Sequence, residues 1–121
     1  MIKLSPLPKT WLLDVDGTIV KHNGHLNGGD ELLEGVTEFF QNIPPKDKII
    51  LLTSREHKYR QDLIDFLNRH KLRFDELICG LPMGERILIN DRKNSGLQTA
   101  YAINKKRDEP LETAWYIDKD L

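Results

Sequence analysis

The sequence has a single cysteine, no long apolar run, no excess of either charge and no internal repeat, and each shortage closes off a class of protein. Cys79 has no second thiol to pair with, and within Leu77-Ile78-Cys79 it reads as a buried strand residue, not a reactive group. Apolar runs such as Ile49 to Leu52 fall far short of the roughly 20 residues that cross a bilayer as a helix, so no membrane partner is expected. With 18 basic against 19 acidic residues the net charge is −1, and no global field draws the chain to nucleic acid or anionic lipid; only a local patch keeps nucleic acid open. Met1-Ile2-Lys3-Leu4-Ser5-Pro6 lacks the apolar core of a secretion signal, and the early prolines Pro6 and Pro8 disfavour a targeting helix, so a soluble, cytoplasmic protein is expected.

What is present has a globular balance, 39% hydrophobic and 31% charged, and 121 residues suit one domain spanning 1–121 with little left for a second. Five short apolar runs have the length of buried strands: Trp11 to Val15, Lys48 to Thr53, Glu76 to Cys79, Arg86 to Asn90 and Thr113 to Ile117. Helical spacing appears between them. Asp30 to Gln41 gathers Leu32, Leu33, Val36, Phe39 and Phe40 on one face and stops before Pro44-Pro45; Glu56 to His70 does the same with Tyr59, Leu63, Phe66 and Leu67; Leu97, Ala100, Tyr101 and Asn104 suggest a third, shorter helix. Alternating strands and helices predict an α/β fold with a doubly wound, mostly parallel, Rossmann-like sheet of about five strands, whose ligands sit at the carboxyl ends of the strands. Gly80 to Glu85 is too short for a helical crossover and is expected to return across the sheet as an extended segment.

Three of those strand ends carry chemistry. The first ends in Asp14-Val15-Asp16-Gly17-Thr18, where side chains two residues apart point the same way, and Gly17 permits a sharp turn. Two close carboxylates repel, and a hard cation or a shared proton relieves them. Both remedies suit phosphoryl transfer, with Asp14 attacking phosphorus and Asp16 donating to the leaving oxygen and later activating water. The second ends in Thr53-Ser54-Arg55, a hydroxyl and a guanidinium suited to phosphate oxygens; the fourth ends in Asn90-Asp91-Arg92-Lys93, another carboxylate beside cations.

These motifs resemble those of haloacid dehalogenase (HAD) superfamily phosphatases: Asp14-Val15-Asp16-Gly17-Thr18 matches the first, Thr53 after an apolar strand the second, and Ile87 to Asp91 resembles the fourth. The resemblance implies a Mg²⁺-dependent phosphomonoester hydrolase working through an aspartyl-phosphate. Asp14, Asp16 and Asp91 would hold the metal, Thr53 would bind phosphate, and Thr18, Ser54 and Arg55 would meet substrate. The third motif departs from the family pattern, because Gly80 to Arg86 offers no lysine. Arg86 is expected at the wrong edge of the sheet, so Lys93 is the candidate cation. The missing lysine also keeps open a silent HAD-like binding or regulatory module. Only Thr18 to Lys48 separates the first two motifs, which implies a capless enzyme, whose site is covered by a bulky substrate or by a neighbouring subunit in a homo-oligomer. A small phosphorylated partner, a sugar phosphate or similar metabolite, is implied most directly. Thr53-Ser54-Arg55-Glu56 with Asn90-Asp91-Arg92 is also similar to the phosphatase half of polynucleotide kinase-phosphatases, so a nucleic-acid end stays open. His22 and His25 read as exposed turn residues beside the site, and Lys105-Lys106-Arg107 as a solvated helix end.

Overall fold

The computed structural model describes residues 1–121. Five strands and two helices follow in the order β1 (Ile2–Leu4), β2 (Thr10–Asp14), α1 (Val36–Asn42), β3 (Lys48–Leu52), α2 (Arg60–Arg69), β4 (Glu76–Ile78) and β5 (Trp115–Ile117), with 3₁₀ turns at Gly24–Leu26 and His57–Tyr59. Every strand pair is parallel, so the chain is a small α/β protein. β2, β3 and β4 form one sheet with β3 central, and β1 and β5 form a second. Parallel neighbours need a crossover, and α1 and α2 occupy the two crossovers of the larger sheet.

Local chemistry explains each element. β3 is Lys-Ile-Ile-Leu-Leu, whose β-branched start suits a pleated surface, and Ile49 and Leu51 are fully buried on one face. Register sets Leu13, Leu51 and Leu77 side by side across the three strands. That row shares a single apolar cluster with Val36, Phe39 and Phe40 of α1 and Leu63, Phe66 and Leu67 of α2. Each such fully buried side chain contributes about 1.5–3 kcal/mol. α2 carries Asp62 in its first turn and Arg69 in its last, the arrangement the helix dipole favours. α1 begins at Gly35, whose φ of 86° and close approach to the Leu111 carbonyl leave no room for a side chain, and it stops at Ile43-Pro44. Asp47, 3% exposed, accepts from the Lys9 amide at 3.0 Å and the Trp11 indole at 2.9 Å, which aligns the entries to β2 and β3.

The expected strand at 86–90 does not form: Ile87 is 84% exposed and Ile89 91%, on an irregular segment. The expected helix near 97–104 is absent as well. Apolar character made both segments look regular, but a strand exists only where an edge pairs with it, and a helix this short needs a packed face. β1 is an addition: Ile2-Lys3-Leu4 alternates for only three residues, and its partner, Trp115–Ile117, comes from the far end of the chain. The strands thus lie in two sheets, three and two, and the other face of the larger sheet leaves Leu12 and Ile78 exposed.

Candidate functional site

The carboxyl ends of β2 and β3 lie together, with Asp14 in register with Leu52. After Asp14 the chain folds back sharply. The Val15 carbonyl accepts the amides of Thr18, Ile19 and Val20, and the Gly17 amide, at φ 85°, donates to Val20 at 2.7 Å. This turn presents Asp14, Asp16 and Thr18 at one end of the sheet. Thr53, fully buried, continues β3 and donates its amide to Ile78 at 3.0 Å.

Two linked groups of side chains result. Asp14 accepts from the Thr18 hydroxyl at 3.2 Å through Oδ2 and pairs with Arg86 Nη1 at 2.6 Å through Oδ1, with both side chains about one-third exposed. Asp16 accepts from the Thr53 hydroxyl at 2.7 Å through Oδ2, and from Arg55 Nε at 2.9 Å through Oδ1. Arg55 reaches further, placing Nη1 and Nη2 at 3.0 and 2.7 Å from the two oxygens of Asp30. Its side chain is 3% exposed and that of Asp30 8%. Burial opposes the Arg55 charge, but the hydrogen bonds it donates to Asp30 and Asp16 outweigh that and raise its pKa. The Thr53 hydroxyl also accepts the Arg55 amide at 3.0 Å, so the loop after β3 is locked to Asp16 from both sides.

The turn at 21–29 walls one side. His25 packs edge-on against Tyr59 with ring centroids 4.8 Å apart. Burial first, and the Arg55 charge second, push its pKa down against the pull of Asp16 and Asp30. The Nδ1 atoms of His22 and His25 are enclosed without a partner, so these are not the solvated turn residues their sequence suggests. The late segment closes the back: the Asp108 amide donates to Gly17 at 3.0 Å while its carboxylate accepts the His22 amide at 2.8 Å. Arg107 lies against Gly17, where an added Cβ would stand 3.1 Å from its Cγ. Within the basic run Arg107 alone touches the site; Lys106 and Arg107 are exposed, and no helix forms there.

The structure thus gathers Asp14, Asp16, Thr18, Thr53 and Arg55 at adjoining strand ends. Ser54 sits half-buried between Thr53 and Arg55. Arg55 meets carboxylates and not solvent, because its donors already face Asp16 and Asp30. Asp91 and Lys93 lie elsewhere, on the exposed segment, where the Asp91 carbonyl accepts the Thr99 hydroxyl and Lys93 begins a turn closed by the Gly96 amide at 2.9 Å. The cation at Asp14 is Arg86, the residue expected at the wrong edge; without a fourth strand to fix its direction, the segment brings the guanidinium to the carboxylate. Asp30 had no local signal, being one acid among several before α1, and its partner lies 25 residues away.

A hard divalent cation needs free oxygen ligands. Here every oxygen of Asp14 and Asp16 meets a donor of the protein, and no group of three or more His, Cys, Asp or Glu is placed to hold a metal. In this arrangement Asp91 lies away from Asp14 and Asp16, and arginines offset the charge of these two carboxylates. No family model, curated protein or solved structure matches the chain, so the geometry of the site carries the functional argument.

Proposed function

We propose that the chain is a phosphomonoester hydrolase of the HAD kind in which Asp14 is the nucleophile and Asp16 the acid and base. One observation carries this reading: Asp14 ends β2, and Asp16, two residues on in the turn, is tied at 2.7 Å to the threonine that follows the adjacent strand. Asp14, the more exposed, attacks phosphorus; the bond to the alcohol oxygen breaks, and Asp16 supplies the proton that the leaving alkoxide takes. Asp16 then takes a proton from water as the water oxygen attacks the phosphorus of the aspartyl-phosphate, and inorganic phosphate leaves with Asp14 restored. Arg86, at 2.6 Å from Asp14, offsets charge between nucleophile and phosphate, the task that the sequence alone would place on Lys93.

The same reading calls for the doubly wound sheet. β2 and β5 each pair on one side only, leaving a free edge on each sheet, and Ile87–Asn90 is an unpaired apolar segment in the same chain. Mg²⁺ belongs to this reading as a proposal, with Asp14 and Asp16 the carboxylates that the site supplies for it. The substrate class is a small phosphorylated metabolite such as a sugar phosphate.

A screen of phosphomonoesters, with phosphorylated oligonucleotides as one arm and Mg²⁺ present, tests the proposal with Asp14→Asn as blank. Phosphate release from small substrates that vanishes in the blank supports it; release confined to the oligonucleotides moves the substrate to nucleic-acid ends. A second reading, binding without turnover, is favoured by the engagement of every Asp14 and Asp16 oxygen, and it prevails if no substrate is hydrolysed.

A further inference from the structure

Asp30 has no part in the motifs, yet it is among the least exposed carboxylates of the site and makes its most complete ion pair. Both of its oxygens face the two terminal nitrogens of Arg55, and the third nitrogen, Nε, faces Asp16 Oδ1 at 2.9 Å. Nη2 is shared, 2.7 Å from Asp30 and 2.8 Å from Asp16. A guanidinium is rigid and planar, so fixing one edge fixes the other. The far oxygen of Asp16 is meanwhile held by Thr53, whose hydroxyl is itself set by the Arg55 amide. Asp30 thereby determines the plane in which the Asp16 carboxylate lies without touching the reacting atoms.

We propose that Asp30 is a positioning residue for Asp16, acting through Arg55, and that it serves the step in which the leaving oxygen must be protonated. The inference rests on the proposed phosphatase reading. It also assigns Arg55 a place inside the protein and leaves Arg86 as the cation that meets phosphate. A misplaced acid slows departure of a poor leaving group and hardly affects a good one, because the latter departs without a proton. The ratio of kcat/KM between an alkyl phosphate and p-nitrophenyl phosphate therefore reports the position of Asp16; kcat/KM ends at the first irreversible step, so later hydrolysis of the aspartyl-phosphate does not enter it.

The experiment measures that ratio for the full chain and for Asp30→Asn and Asp30→Glu, with thermal unfolding recorded alongside. Asp30→Asn should lower kcat/KM on the alkyl phosphate by on the order of tenfold or more while changing the aryl ester by under about threefold, the scale of lost acid catalysis. Asp30→Glu, which restores the charge and both acceptor oxygens, should recover most of the difference. Should Asp30→Asn be too unstable to assay, Arg55→Lys, a cation unable to span both carboxylates, should show the same selective loss. Equal losses on both esters, or none, overturn the inference while the phosphatase reading stands. Absence of any turnover by the unaltered chain removes the reading and the inference together.

Discussion

A guanidinium almost sealed from solvent between two carboxylates, as Arg55 is between Asp16 and Asp30, cannot be deleted without leaving acids to face each other in a poorly solvated place. Breaking such a buried group by removing one partner costs about 3–5 kcal/mol, whereas replacing partners together costs much less. Arg55→Met should lower the unfolding free energy by about that amount in urea titration, and Arg55→Met with Asp30→Leu by distinctly less than the sum of the single changes. Additive losses would mean that Asp30 and Arg55 do not act as a unit. At the other carboxylate the Arg86–Asp14 pair is partly open to solvent and should add little stability. On the proposed phosphatase reading, Arg86→Ala should reduce kcat on the order of a hundredfold and Lys93→Ala by under about threefold, read from initial rates. The reverse ranking would restore Lys93. The site was legible where chemistry is local: Asp14, Asp16 and Thr53 announce themselves by strand-end position. Asp30 and Arg86 were not, because their partners lie 25 and 72 residues away and nothing in a short window records the pairing.

Elements show the same division. β2, β3, β4 and β5 and both helices follow from apolar runs and helical spacing, with ends shifted by a few residues; the start of α1 moves from Asp30 to Val36 because Asp30 is drawn to Arg55 and the chain turns at Gly35. The runs at 86–90 and 97–104 have equal apolar content, but regular structure there depends on an edge or face supplied by the rest of the chain. Gly35 gives a sharper test of what local geometry dictates. Its φ of 86° disfavours any side chain, and an added Cβ would stand 2.5 Å from the Leu111 carbonyl oxygen. Gly96, at φ 89°, has open space around it. Gly96→Ala should therefore cost only the backbone strain, about 1 kcal/mol, and Gly35→Ala roughly 2–3 kcal/mol, since the helix start and the 111 segment must also part. Equal losses in parallel denaturation curves would show that the Leu111 contact yields freely.

Acidification acts on the whole molecule through two groups with pKa values below their ordinary ones. Asp75 is held down first by the Ile49 amide, 2.8 Å from its Oδ2, with Lys48 and Arg73 adding to the effect; His25 is held down by burial and by Arg55. The signs agree. A carboxylate depressed in the folded state contributes stability above its unfolded pKa of about 3.9, and loses it as pH falls through the lower folded value. A histidine depressed in the folded state stays neutral while the unfolded chain takes up a proton from about pH 6.5 downward, so unfolding gains there as well. Stability should thus decline in two windows, one beginning near pH 6.5 and one beginning near pH 4. His25→Phe, which keeps a ring against Tyr59, should flatten the upper decline and leave the lower one in place. Asp75→Asn should flatten the lower decline alone, since it removes the group that the Ile49 amide holds charged. Melting temperatures taken from pH 8 to pH 3 on the three proteins check both assignments. A slope between pH 7 and pH 5.5 that survives His25→Phe would place the responsible proton on another group.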